Sequence, residues 1–150
     1  MNKQKQYLNH VDPEYQRWGR TYSSFPGVAE CLRLIRTRKA AGAWADIVVY
    51  ELAENAPPHL AELTEAFRTA TSDLDPSDGV AISVLQALEI AQLPESVPFF
   101  TQVLQEKNAR FTPYAQRALA AINTQEARTA LLHISQAGFK FSPPPRPSSK

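Results

Sequence analysis

Between Asp73 and Gly79 the sequence runs DLDPSDG, where oxygen ligands crowd closely enough to bring a cation loop to mind. The spacing fails that chemistry. A calcium loop opening at Asp73 needs glycine at its sixth position and a bidentate glutamate at its twelfth, and Asp78 and Val84 stand there instead. The same residues suit a helix start, with Asp75 as a side-chain cap and Asp78 in the first turn, where a carboxylate opposes the helix dipole. His10, His59 and His133 are far apart and Cys31 is the only cysteine, so no transition-metal ligand set is assembled locally, and no metal or cofactor is expected. Cys31 falls on an apolar stripe, which predicts a small buried hydrophobe and not an activated nucleophile. His133 is expected to flank the core. Five glycines form neither a phosphate loop nor a nucleophile elbow. Glu51, Glu54, Glu62 and Glu65 lie in helical stretches where a solvated face is the default. No residue is assigned a catalytic role, and the chain is not expected to be an enzyme.

Recognition chemistry is better represented. Helical wheels place Asp46 and Tyr50, Ser83 and Gln86, and Tyr114 and Arg117 on outward faces, with both tyrosines expected to be exposed. Tyrosine and arginine dominate interface hot spots because they join large contact area to a polar handle. Basic residues gather at Arg33, Arg36, Arg38 and Lys39, and again at Arg110, Arg117 and Arg128. With 16 basic against 15 acidic side chains the net charge is only +1, so no global field draws the protein to nucleic acid or an anionic membrane. The first basic group sits where positive charge compensates a helix C-terminus.

The elements that must carry these residues are marked by proline. Pro57, Pro76, Pro94 and Pro113 follow one another at gaps of 19, 18 and 19 residues, and each opens an apolar stretch. Proline is tolerated at a helix entrance because its missing N–H would have had no partner there. The beat therefore predicts successive helices, paired with a repeat of about 37 residues, as in stacked helical hairpins. An earlier helix opens at Asp12-Pro13-Glu14 and carries Tyr15 and Trp18; with Tyr22 and Phe25 these aromatics are expected to seal the end of the stack. Pro26 and Gly27 open a helix with Val28, Cys31, Leu32 and Ile35 on its stripe. A partner from about Ala43 to Glu54 buries Trp44, Ile47, Val48 and Leu52. The second hairpin, Pro57 to Gln92, buries Leu60, Leu63, Phe67, Val80, Val84, Leu88 and Ala91. Ile82, Leu85 and Ile90 widen that last stripe, which places its helix near the centre of the domain. The third hairpin runs from Pro94 to Lys107, with Val97, Phe100 and Leu104, and from Pro113 to Ile122, with Ala115, Ala118 and Leu119. A last helix starts at a Thr124 cap, buries Ala127, Leu131 and Ile134, and stops at Gly138. The tail SPPPRPSSK cannot form a core and is expected to be extended.

A second register supports the repeat: ALEIAQLPES from Ala87 matches ALAAINTQEA from Ala118 at an offset of 31. In the segments RFTPYAQRALAAINTQEARTALL and SVLQALEIAQLPESVPFFTQVL the chain resembles HEAT repeats, in particular the short HEAT-like repeats named after phycobilisome bilin lyases. The shared features are Arg117, Ala118, Leu119 and Ile122 on a second helix, a tight turn, then Glu126 and Ala127 opening the next. The likeness covers residues 57 to 137, fits 27 to 55 more loosely and does not reach the first 26. Where the family often has glycine in the turn, Gln92 and Asn123 stand here. In such stacks the second helices line a concave surface where partners bind, so the resemblance implies that Asp46, Tyr50, Gln86, Tyr114 and Arg117 form a protein-binding face.

The expectation is thus an all-α protein, an α-solenoid of about three and a half HEAT-like hairpins. Residues 1–26 would form an N-terminal segment and capping helix, 27–138 the repeat domain, and 139–150 a disordered Pro-rich tail. Lacking the apolar core of a secretory signal in MNKQKQYLNH and any membrane span, it is expected to be soluble, cytoplasmic, and a monomer or weak dimer. The function implied is non-catalytic protein binding, as an adaptor or a toxin-neutralising immunity protein. A bilin-lyase-like chromophore chaperone or a nucleic-acid-binding HEAT protein is the alternative.

Overall fold

Helix entrances and exits in this chain are set by backbone conformations that only certain residues adopt cheaply. In the computed structural model, which describes Trp18, Tyr22 and residues 24–37, 43–72 and 79–136, they delimit seven α-helices and, among the described residues, no strand. These are α1 (Val28–Arg36), α2 (Ala43–Glu54), α3 (Leu60–Ser72), α4 (Val80–Ala91), α5 (Val97–Glu106), α6 (Thr112–Ile122) and α7 (Gln125–Gln136). The expectations for His10, Tyr15, Arg38, Lys39, Asp75, Pro76, Asp78, Gly138 and the tail, and for the side chains of Trp44 and Ile134, lie outside the described residues.

Gly27 and Gly79 precede α1 and α4 with φ of +103° and +81°, a region that penalises any side chain. A Cβ at Gly27 would meet nothing within 4 Å, so backbone conformation and not space selects glycine there. Pro57 and Pro94 open short 3-10 turns, Pro57–His59 and Pro94–Ser96, and the α-helices begin only after them, at Leu60 and Val97. Of the described prolines of the beat, Pro113 stands in the first turn of α6, while Pro57 and Pro94 precede their α-helices by a turn. Thr124 caps α7 as expected, its Oγ1 accepting from the Ala127 N–H at 3.1 Å.

Packing follows the apolar stripes. Helix α4 packs against α1, α2, α3 and α6, as its broad apolar circumference requires. Within consecutive pairs, α1 lies on α2, α3 on α4 and α5 on α6, while α7 contacts both α5 and α6. The alternate helices α2, α4 and α6 lie side by side. Val80, Val84, Leu85 and Leu88 of α4 are fully buried, together with Ile47, Leu52, Leu63, Phe67, Phe100, Leu104 and Leu119. Trp18 is buried and its ring lies 4.6 Å from that of half-buried Tyr22.

Leu60, Ala91 and Leu131, expected to be buried, are half-buried, and three further positions depart more strongly from the expected pattern. Ile90, assigned to the widened stripe of α4, is 41% exposed. Glu51, expected on a solvated face, is buried on α2 close enough to Cys31 to act on its thiol. His133, expected to flank the core, is exposed on α7.

Candidate functional site

An α-helix brings residues three and four apart onto one face. On α2 that pairs Asp46 with Tyr50; on α4 it groups Gln86, Glu89 and Ile90; on α6 it pairs Tyr114 with Arg117. Because α2, α4 and α6 lie side by side, these three faces adjoin. Together with Val49 they line one surface depression of about 270 Å³. All five residues expected to form a binding face, Asp46, Tyr50, Gln86, Tyr114 and Arg117, are in its lining; Ser83 is not.

The α6 side of the depression is held rigidly. Arg117 donates from Nε to Oε2 of Glu89 at 3.0 Å and from Nη2 to Oε1 at 3.4 Å, tying α6 to α4. Its guanidinium also lies 4.8 Å from the centroid of the Tyr114 ring, within cation–π range. One cation is thus clasped between an aromatic ring and a carboxylate. Asp46, on the opposite side, is exposed and has no hydrogen-bond or ion-pair partner among the described residues. The two tyrosines are half-buried, not exposed as the wheels implied, and Tyr114 packs against the core.

Glu89 and Ile90 belong to this site and were missed in the sequence. Their signal was present: both lie one turn from Gln86 on the same helical face. Ile90 was drawn instead into the apolar stripe, because a hydrophobic residue beside a broad stripe looks like part of it. A larger and more open depression of about 840 Å³ lies between α5 and α7, lined by Gln102, Gln105, Gln125 and Thr129 over Val97 and Ala130. His133 and Glu126 also line it, with no tyrosine, tryptophan or phenylalanine beside them.

Other reactive side chains are quiet. Burial, followed by the nearby Glu51 and Glu30 charges, pushes the Cys31 thiol up to about 12, which keeps it protonated and unreactive. Glu30 accepts both Nε and Nη2 of Arg33 at 2.8 Å and the Tyr22 hydroxyl at 2.8 Å. Those hydrogen bonds, Arg33 first, hold its carboxyl down at about 2. Arg33 is thus paired with Glu30 within α1. Among the described residues no three His, Cys, Asp or Glu side chains converge as a metal site would require, and no helix is long and apolar enough to cross a membrane. Compared with known proteins, the chain matches no family model, no curated protein and no solved structure.

Proposed function

We propose that this chain is a non-catalytic protein-binding module. In this reading its helices form a right-handed stack of about three and a half HEAT-like hairpins, and the face shared by α2, α4 and α6 is the concave surface that receives a protein partner. Asp46, Tyr50, Gln86, Tyr114 and Arg117 are its contact residues. The observation that carries the reading is their convergence, with Glu89 and Ile90, from three separate helices into one depression.

Energetically such a face suits recognition. Tyr114 and Arg117 already hold each other, and Glu89 fixes Arg117 further, so few rotamers need to be frozen when a partner arrives. Tyrosine and arginine at the centre of a patch are the residue types that carry most binding energy. An adaptor in a larger assembly and an immunity protein covering a toxin would use the same face.

The test is capture of a partner from the native cell by the wild-type chain and by the Tyr114→Ala/Arg117→Ala double variant. Loss of about 2 kcal/mol or more of affinity is expected. The Arg117–Glu89 pair is partly exposed, so its removal changes stability by at most about 1 kcal/mol; Tyr114 also packs on the core, so the urea midpoint of the double variant is measured beside the capture, and a retained midpoint makes the loss one of binding. Unchanged affinity removes these residues from the face.

A further inference from the structure

We infer that the α2 side of the groove, formed by Asp46 and Tyr50, takes the side-chain cation of a lysine or arginine on the partner. This rests on the binding face proposed above and names the chemistry it selects. The groove already shows how it holds a cation: the Arg117 guanidinium lies over the Tyr114 ring at 4.8 Å while Nε and Nη2 engage Glu89. Asp46 and Tyr50 bring the same two components, a carboxylate and a phenol ring one helical turn apart, to the same depression.

Charge decides the sign of the occupant. Arg117 pairs with Glu89, which leaves the exposed Asp46, in the first turn of α2, as the carboxylate of the lining with no ion-pair partner among the described residues. A phosphate or a carboxylate would approach Asp46 against its charge and would find Arg117 already engaged. An aliphatic side chain would strip water from Asp46 without replacing it, which is unfavourable. A lysine or arginine does neither. Its head pairs with Asp46 and faces a ring, and its methylene stem covers Ile90, which is 41% exposed beside them.

The full isotope-labelled chain is titrated at low salt with N-acetyl-lysine amide and N-acetyl-arginine amide, and with the matched norleucine and glutamate probes. Saturable shifts of the backbone amides of residues 46–50 and 86–90 are expected with the two basic probes alone. Asp46→Asn, an exposed substitution that leaves the remaining spectrum in place, should weaken them about three- to fivefold, the size of an exposed ion pair, and added salt should weaken them as well. Equal shifts with norleucine, or binding indifferent to Asp46→Asn, would overturn the cation pocket while leaving the binding face intact. Absence of any shift overturns the pocket too, and the face is then judged separately by the Tyr114→Ala/Arg117→Ala capture.

Discussion

Gln92 and Asn123, 31 residues apart, end α4 and α6 in the same left-handed conformation, with φ of 53° and 57°. Each directs its backbone N–H to the carbonyl four residues back, Gln92 to Leu88 at 3.2 Å and Asn123 to Leu119 at 2.9 Å. The residues before them match as well: Ala87 and Ala118, and Leu88 and Leu119, are all fully buried. Two helix ends are thus built to one pattern at the offset seen in the sequence.

That conformation is costly for glutamine and cheaper for asparagine, whose short amide tolerates it. Gln92→Gly is therefore expected to stabilise the protein by about 1 kcal/mol, because the strain is relieved at an exposed turn where no packing is lost. Asn123→Gly should gain less. Urea midpoints of the two variants against wild type check both the sign and the order; a loss of stability at Gln92→Gly would mean that the glutamine side chain supports the turn in some other way.

A second expectation concerns acid. Glu30 titrates at about 2 instead of its ordinary 4.5, chiefly through its two hydrogen bonds from Arg33 and then through the Tyr22 hydroxyl. Its folded-state value is depressed, so its contribution to stability is complete above about 4.5 and is lost as pH falls toward 2. Glu30→Gln should lower stability at neutral pH and flatten the acid slope within that window. Unfolding midpoints measured at several pH values for both proteins supply the comparison, and parallel slopes would refute the assignment.

Local rules made most of the helical architecture legible in the sequence. The apolar spacing of Val97, Phe100 and Leu104, the Thr124 cap and Pro113 each act within a few residues, and each reappears in the structure. What the sequence hid were consequences of neighbours. Pro57 and Pro94 read as α-helix starts, yet a 3-10 turn stands between each and its α-helix. The burial of Glu51 depends on how α1 lies over α2, and the exposure of Ile90 on where α4 leaves its neighbours. The five residues of the groove were recoverable because outward helical faces are a local property. Glu89 shares their face by the same local rule, one turn from Gln86; what no local rule encodes is its ion pair with Arg117, 28 residues away.

The junction between α3, α5 and the entrance of α6 rests on one ring. Phe67 is fully buried, and the rings of Phe99 and Phe111 both lie 5.2 Å from it at steep angles, the edge-to-face arrangement that aromatic quadrupoles favour. Arg68 roofs the cluster, its guanidinium 5.3 Å from Phe67 and 5.6 Å from Phe99, while Nη1 reaches both carboxylate oxygens of Glu106 on α5. That ion pair is partly exposed on both sides and contributes little by itself, so the junction depends on the rings beneath it. Phe67→Ala removes a large buried side chain and two ring contacts together and is expected to cost about 3–5 kcal/mol, whereas Phe67→Leu keeps most of the volume and should cost about 1.5 kcal/mol. Arg68→Ala should change stability by less than either. Thermal or urea unfolding of the three variants ranks them, and an Arg68 effect as large as that of Phe67→Ala would shift the weight of the junction from the rings to the ion pair above them.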